Sequence, residues 1–523
     1  MTRQHLPIGI QDFETIRSNS FYYVDKTPLI RKLVNNGRYY FLSRPRRFGK
    51  SLLLDTIGSL FAGQETLFQG LHIHGHWDWS VTYPVVRLSF GGKYNAPGDI
   101  ENSVLAQLEL IEHAAGLNPE QTIGTGPIRL QKVMHHLHQT TGQRVVILVD
   151  EYDKPILDVL KDPDRARANR EYLRGFYGII KDSAAHVRFV FVTGVSMFSK
   201  VSLFSGLNNL KDISLDPRFA TICGYTDTDL DTVFAPELEG LDQEDIRTWY
   251  NGYSWRGAER VYNPYDVLLL FDEREFRPHW FETGSPNFLF ETLTKTSVSP
   301  MDLENRLADM PLISTFDVDD IAVEALLFQT GYLTIVDEQR DGFDIFYQLD
   351  YPNQEVRISL NRGLLQYLGK RVKEATDQGC TLRTRLEANN FDGFAVTLKA
   401  YLASIPYQWH NTDQAHYESW YANLLHMGFR AIGMDVRSEG SSNRGRADMV
   451  VLTGGQVFIM EFKMAATAEE TEVALERALA QMRDQGYAEQ YLDRQEPIHL
   501  VAIACGREVR NVLDIRVEPV MVS

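Results

Sequence analysis

The segment Tyr39–Asp55, YYFLSRPRRFGKSLLLD, is the most informative stretch of this chain. Its first residues, Tyr39 to Leu42, form a short apolar run that is typical of a buried strand. A basic turn follows from Arg44 to Phe48, and Gly49-Lys50-Ser51 then opens a helix that three leucines continue. A strand, a loop and a helix in this order predict that backbone amides at the helix N-terminus point at an anion.

The residue types in this loop match those needed to bind a nucleotide phosphate. Gly49 lets the backbone approach a phosphate, Lys50 reaches the outer phosphates, and the Ser51 hydroxyl can bind Mg²⁺. The general motif GxxxxGK[ST] has glycine where this chain has Arg44, and a GKS tripeptide alone also occurs by chance. The nucleotide-binding candidates in this segment are Arg44, Arg46, Arg47, Phe48, Gly49, Lys50, Ser51 and Leu52.

A second apolar run, Val145–Glu151, ends in two carboxylates. A strand buried on both faces delivers such residues to the carboxyl edge of a parallel sheet, where the phosphate loop also opens. Asp150 would then hold the Mg²⁺ shell, and Glu151 would polarise the attacking water as general base. The alternative is an ordinary buried strand that ends in a polar turn.

A third apolar run, Val187–Thr193, leads into Gly194-Val195-Ser196. In an ATPase of this layout it places a small polar residue beside the γ-phosphate, so Thr193 and Ser196 are candidate sensors. Arg218 is a candidate for phosphate contact or for reaching across a subunit boundary, with a solvated arginine as the default.

Length and composition limit the class of protein. A chain of 523 residues exceeds one core, and its 44% hydrophobic and 24% charged residues are ordinary for a globular protein. The net charge of −17 argues against a broad nucleic-acid coat, although a local basic groove is compatible with it. Three cysteines imply no disulfide framework, and no apolar run approaches the ~18 residues of a membrane span, so we expect a cytoplasmic protein.

A second constellation lies near the C-terminus. A Thr453-Gly454-Gly455 turn joins a strand that begins at Met449 to one that runs to Lys463, which predicts a hairpin. Strand periodicity places Glu461 and Lys463 on one face, and Asp448 begins the partner strand.

Two carboxylates and a lysine at one place can bind Mg²⁺ and activate water for attack on a phosphodiester. A salt-bridged sheet edge is the alternative. Gln481 lies on a surface of the following helix that can face the hairpin. Arg437, Arg444, Arg446 and Lys463 concentrate positive charge where DNA would bind.

With both constellations in view, nearly the full length resembles the bacterial family that joins an AAA-like P-loop ATPase domain to a C-terminal PD-(D/E)XK nuclease domain. The resemblance rests on FYYVDKT (21–27), SRPRRFGKS (43–51), LVDEYDKP (148–155), WYNGY (249–253), YNPYDV (262–267), ETGSP (282–286), LLFQTGYLTI (326–335), YPNQEVR (351–357), GRADMVV (445–451) and the triplet Glu461-Phe462-Lys463.

The resemblance implies ATP as the nucleotide, Mg²⁺ or Mn²⁺ at the nuclease site, and DNA rather than RNA as substrate. It implies Glu418 as an acid of the first nuclease helix, Asp448 and Glu461 as metal ligands, Lys463 as the catalytic lysine, and Gln481 as a further site residue. Ala447 stands where the family name has proline, which is a common variation. A role in defence against phage or mobile elements follows only by analogy.

The expected fold class is α/β. It has an AAA-like P-loop NTPase core at 1–223, a mainly helical lid or connector at 224–405, and a restriction-endonuclease-like α/β domain at 406–523. The first functional reading is a homo-oligomeric ATPase that gates metal-dependent cleavage of DNA. The alternatives are a signalling switch whose nuclease fold only binds DNA or a partner, and an assembly protein in which nucleotide sets the oligomeric state.

Overall fold

The computed structural model describes residues 3–118, 122–197, 207, 209–279, 289–290, 293, 303–314, 322–342, 344–369, 371–405, 418–437 and 447–520. The chain divides into two compact units. The first comprises Met1–Trp280 and Leu307–Asn353, and the second comprises Phe281–Arg306 and Gln354–Ser523.

The first unit is built around a parallel five-stranded sheet. Its helices are α1 (Phe13–Ser18), α2 (Thr27–Asn36), α3 (Lys50–Phe61), α4 (Asp99–Ala114), α5 (Gly126–Thr141), α6 (Lys154–Leu157), α7 (Pro163–Asp182), α8 (Asp227–Val233), α9 (Gln243–Tyr250), α10 (Pro264–Glu273), α11 (Met310–Ser314) and α12 (Val323–Thr330). Its strands are β1 (Tyr39–Ser43), β2 (Val85–Ser89), β3 (Val145–Asp150), β4 (Val187–Gly194) and β5 (Lys211–Asp212).

The strand order β2-β3-β4-β1-β5 positions the candidate nucleotide site. β3 is buried along its apolar length, as its unbroken run of valine, isoleucine and leucine predicts. β4 lies between β1 and β3, so the end of β4 falls between the phosphate loop and the Asp150 edge.

A smaller three-stranded sheet has the order β6-β8-β7, in which β7 and β8 pair antiparallel. Its strands are β6 (Arg306–Asp309), β7 (Thr334–Asp341) and β8 (Asp344–Asp350). A further apolar core gathers aromatic residues of the first unit, among them Tyr22, Phe234, Tyr250 and Tyr262. These tyrosines are core residues, as expected for side chains that pack loops onto helices.

The second unit carries a mixed sheet of order β13-β12-β11-β10-β9. Its strands are β9 (Asp435–Arg437), β10 (Met449–Thr453), β11 (Gln456–Ala465), β12 (Ile498–Gly506) and β13 (Asn511–Val520). Its helices are α13 (Gln354–Tyr367), α14 (Val372–Glu387), α15 (Phe391–Ala403), α16 (Glu418–Arg430) and α17 (Ala468–Asp484). Leu475 and Leu479 of α17 pack with Ile459 of β11 and Leu500 of β12 to form its core.

The predicted α/β class is confirmed, with a parallel sheet in the N-terminal part, helices in the middle and a C-terminal sheet. The predicted hairpin is present, with Val451 paired to Phe458 across β10 and β11. The three-domain division stays a prediction, and by packing alone the segment 224–405 is shared between the two units. None of the helices among the described residues is both long enough and apolar enough to cross a membrane.

Candidate active sites

Lys50 begins α3 and is held across the loop that precedes it. Its ammonium donates hydrogen bonds to the carbonyl oxygens of Arg44 and Pro45, each at 2.9 Å. The side chain is only 7% exposed, and this burial lowers the pKa of Lys50, although Asp150 and other nearby acids act against the shift. Gly49 has φ +86° with open space at its missing Cβ, so the backbone conformation rather than crowding requires glycine there.

Arg44 and Phe48 support the loop from inside the fold. The Arg44 guanidinium lies 4.0 Å from the centre of the Trp255 ring and donates to the carbonyl oxygens of Ser43 and Ser214. The Phe48 ring packs edge-on against Trp255 at 5.2 Å. This placement differs from the phosphate contact predicted for the Arg44 side chain, because Arg44 is fully buried between this ring and backbone carbonyls.

The other basic candidates lie on the surface. Arg46 is exposed, and Arg47, at φ +70°, places its guanidinium 4.6 Å from the centre of the Tyr265 ring. Leu52 is half-buried in the first turn of α3. Arg218 forms two hydrogen bonds to the carboxylate of Asp216, so in this structure its charge is paired within its own chain.

Ser51, Asp150 and Thr193 meet at the carboxyl edge of the parallel sheet. The Ser51 hydroxyl donates to Asp150 Oδ2 at 2.5 Å, and the Thr193 hydroxyl donates to Asp150 Oδ1 at 2.7 Å. A loop serine and a strand-end aspartate are the protein groups that hold Mg²⁺ in P-loop proteins. Ser51 and Asp150 are therefore adjacent, as residues that contribute to one Mg²⁺ shell must be.

Glu151 follows Asp150 in a left-handed backbone conformation, φ +53°. Burial raises the pKa of Glu151, and the neighbouring charge of Asp150 raises it further. A carboxylate with a raised pKa is a better proton acceptor near neutral pH, which suits a general base. Left-handed backbone is uncommon for a residue other than glycine and concentrates at functional sites.

In the second unit, four predicted residues come together at β11. Lys463 Nζ donates to Glu461 Oε1 at 2.8 Å and to Glu418 Oε2 at 3.4 Å. The amide of Met464 donates to Glu418 Oε1 at 3.1 Å, which ties the start of α16 to the strand. Asp448 Oδ2 accepts from the amide of Phe462 at 2.8 Å, so the two acids and the lysine share one small region.

The charges of this cluster shift one another. Burial and the neighbouring Asp448 raise the pKa of Glu461 to about 7. Burial lowers the pKa of Lys463, but hydrogen bonding and attraction to Glu461 and Glu418 outweigh it and leave a raised value. The negative charges of Asp448 and Glu461 repel each other, and a divalent cation between them would remove this repulsion. Carboxylate oxygens are also the ligands that a hard cation such as Mg²⁺ prefers.

Neither site supplies a complete metal shell from side chains alone. Within the described ranges, no group of three or more His, Cys, Asp or Glu side chains is arranged to hold a metal ion. Mg²⁺ keeps several waters and is commonly bound by one or two carboxylates plus phosphate oxygens. The pairs Ser51 with Asp150 and Asp448 with Glu461 are consistent with that mode of binding.

The remaining predicted residues of the second unit lie in different surroundings. The Gln481 amide donates to the Tyr487 hydroxyl at 3.3 Å. Arg437 pairs with Asp435 at 3.0 Å, which reduces the local excess of positive charge. Arg444 and Arg446 lie outside the described residues, as does the ETGSP motif at 282–286.

Sequence reasoning missed two residues beside the nucleotide site, Asp153 and Gln329. Asp153 is 1% exposed and Gln329 is 3% exposed, and both accept hydrogen bonds from backbone amides of the segment that follows β4. The available signal for Asp153 was a third acid just after the β3 carboxylates. Gln329 lies within the motif LLFQTGYLTI, but the motif gives no sign of its role, because its partner Met197 is 132 residues away in sequence.

Comparison with known proteins identifies the two domains that carry these candidate sites. Residues 7–204 match the family model described as "Predicted AAA-ATPase", and residues 416–514 match the model of the PD-(D/E)XK nuclease superfamily. The chain therefore belongs to the family that joins an AAA-ATPase-like domain to a C-terminal PD-(D/E)XK nuclease domain. Over 522 residues it is 50% identical to the "Uncharacterized protein in vnfD 5'region" of Azotobacter chroococcum mcd 1, and the alignment covers 99% of each chain.

Proposed function

We propose that this protein is an ATPase that gates Mg²⁺-dependent cleavage of DNA by its nuclease domain. The observation that carries the proposal is the meeting of Asp448, Glu461 and Lys463 on neighbouring strands, with Glu418 bonded to the same lysine. We favour this reading over a salt-bridged sheet edge, because an ion pair between Lys463 and Glu461 has no need of the half-buried Asp448, whose charge raises the pKa of Glu461.

At the nucleotide site, the chain supplies phosphate binding and a base. Lys50 exchanges its two carbonyl partners for the outer phosphates, and the amides at the start of α3 bind the phosphate oxygens. Mg²⁺ bound with Ser51 and Asp150 would neutralise the charge that develops on the phosphates. Glu151 orients the attacking water and accepts its proton.

At the nuclease site, the raised pKa of Lys463 keeps its ammonium charged near neutral pH. Lys463 therefore fits a group that orients the water and stabilises negative charge on the scissile phosphate, rather than one that removes a proton. Glu418 and Glu461 hold the lysine in place from two sides. A divalent cation on Asp448 and Glu461 would polarise the phosphate and lower the pKa of the attacking water.

The experiment is a cleavage assay on linear, circular and single-stranded DNA and on RNA, with Mg²⁺ or Mn²⁺, with and without ATP. Lys463→Ala should abolish cleavage and leave ATP hydrolysis intact, whereas Lys50→Ala should abolish hydrolysis. Lys373→Ala, an exposed lysine of α14, is the matched control and should behave as wild type.

Cleavage by Lys463→Ala at the wild-type rate would refute the nuclease assignment. ATP hydrolysis without cleavage under every condition would favour the switch whose nuclease fold binds DNA or a partner. The same preparations, measured by light scattering with and without ATP, test the proposed homo-oligomer. Phage plating on cells that carry wild type or Lys463→Ala tests the proposed defence role.

A further inference from the structure

The loop that follows β4, Gly194–Met197, is held by buried side chains from separate parts of the first unit. The carbonyl oxygen of Ser196 accepts from the Tyr152 hydroxyl at 2.9 Å, and that of Val195 accepts from the Ser43 hydroxyl. Backbone polar groups of loops usually bond to water. The backbone of this loop is instead bonded by side chains of the surrounding fold.

Asp153 provides the largest share of these bonds. Its Oδ2 accepts from the amide of Val195 at 3.0 Å, from the amide of Ser196 at 2.6 Å and from the Ser196 hydroxyl at 2.5 Å. Ser196 therefore points at Asp153, which differs from the sensor role predicted for it. Because all three donors converge on one oxygen, a neutral amide at position 153 can accept the same bonds.

Gln329 of α12 holds the end of the same loop. Its Oε1 accepts from the amide of Met197 at 2.7 Å, and its Nε2 donates to the carbonyl oxygen of Ile313 in α11 at 2.9 Å. A side-chain amide can accept at its oxygen and donate at its nitrogen, so Gln329 satisfies both backbone partners at once. Gln329 thus joins the loop to the stretch 307–353, far away in sequence.

The held loop borders the nucleotide site directly. Thr193 precedes it and donates to Asp150, and the amide of Arg44, at the start of the phosphate loop, donates to the Gly194 carbonyl at 3.2 Å. A displacement of Gly194–Met197 would therefore move both the Thr193 hydroxyl and one end of the phosphate loop. Misplacement by about 1 Å costs an active site up to about 100-fold in rate.

We propose that Asp153 and Gln329 are positioning residues of the ATPase site, which keep Gly194–Met197 in the conformation that sets Thr193 against Asp150. Neither side chain is assigned a contact with nucleotide. The inference rests on the proposed ATPase activity for its kinetic consequence, but not for its structural one.

The kinetic test compares ATP hydrolysis by Asp153→Ala, Asp153→Asn and Gln329→Met. The Ala and Met variants should lose about 10- to 100-fold in kcat with little change in KM, because Lys50 and Ser51 are untouched. Asp153→Asn should recover most of the rate through its acceptor oxygen. Asp158→Ala, which removes a nearby carboxylate bonded to Lys154, is the matched control and should match wild type.

The structural test is hydrogen exchange of the full chain without nucleotide, read by mass spectrometry on peptides that span 194–197. Exchange should be slow in wild type, faster at positions 195 and 196 in Asp153→Ala, and faster at position 197 in Gln329→Met. This measurement is informative even if wild type hydrolyses no ATP, a result that would overturn the proposed function alone.

Several results would overturn the positioning role. They are wild-type kcat in Asp153→Ala and Gln329→Met, a defect confined to KM, an Asn variant as slow as the Ala variant, or fast exchange of 195–197 in wild type. If Asp153→Ala does not fold, the Asn and Gln329→Met variants decide the question by the same readouts.

Discussion

Replacing Glu461 by glutamine should stabilise the metal-free protein while it abolishes nuclease activity. Glu461 is 1% exposed, and burial together with Asp448 raises its pKa from the ordinary 4.5 to about 7. Ionisation of this carboxyl group is therefore less favourable in the folded protein than in the unfolded chain. Glutamine keeps the shape of the side chain and removes this titration.

The size and sign of the effect follow from proton linkage. Because the folded-state pKa lies above the unfolded one, the stability due to Glu461 is fully present below about pH 4.5 and is lost as pH rises through about 7. The complete shift corresponds to about 3 kcal/mol, and about 2 kcal/mol of it falls between pH 5.5 and 8. The attraction to Lys463 needs no separate correction, because it lowers the pKa of Glu461 and is therefore already contained in the value of about 7.

The assay is urea unfolding in the presence of a chelator. Hydrogen exchange of peptides from β11 and β12 is the readout, so that the unfolding measured is that of the second unit. The difference in unfolding free energy between Glu461→Gln and wild type should rise by about 2 kcal/mol from pH 5.5 to 8. Added Mg²⁺ should stabilise wild type alone, by about 2.7 kcal/mol at 100 times its Kd. A difference that stays constant across this pH range would refute the reasoning, and Mg²⁺ stabilisation of Glu461→Gln would refute the metal assignment.

Further changes test the first unit. Glu151→Gln should still bind ATP in a fluorescent-nucleotide titration but should release no phosphate. The kcat of wild type should fall as pH is lowered, because Glu151 has a raised pKa and must be ionised to act as the base. Trp255→Ala should lower the unfolding free energy by about 3–5 kcal/mol and weaken ATP binding, because it removes the ring that packs on Arg44 and Phe48. An unchanged melting temperature would contradict this prediction. Gly331→Ala should lower the unfolding free energy by at least about 1–2 kcal/mol in thermal unfolding, since φ is +89° and a new Cβ would lie 2.7 Å from Pro45. Wild-type stability in this variant would show that the loop has room to move.

Local pattern predicted the parts of each site that lie close together in sequence. The run from β1 through Gly49 to α3 carries its own signals of strand, turn and helix, and these survive in the structure. Alternation in β11 placed Glu461 and Lys463 on one face, as their hydrogen bond requires. Glu418 lies 45 residues from Lys463, so its place in the cluster was implied by family resemblance rather than by spacing.

Short windows of sequence predicted the phosphate loop, the acidic strand end and the C-terminal hairpin, because each depends on periodicity and residue types that are close together in the chain. The class of protein was implied by the family resemblance. Two features became visible only in the folded chain: Arg44 packs under Trp255 instead of reaching a phosphate, and Asp153 and Gln329 hold the loop after β4. Those roles arise from partners that are distant along the chain. Burial, and the hydrogen bonds that burial makes obligatory, assign them only once the strands are ordered in the sheet.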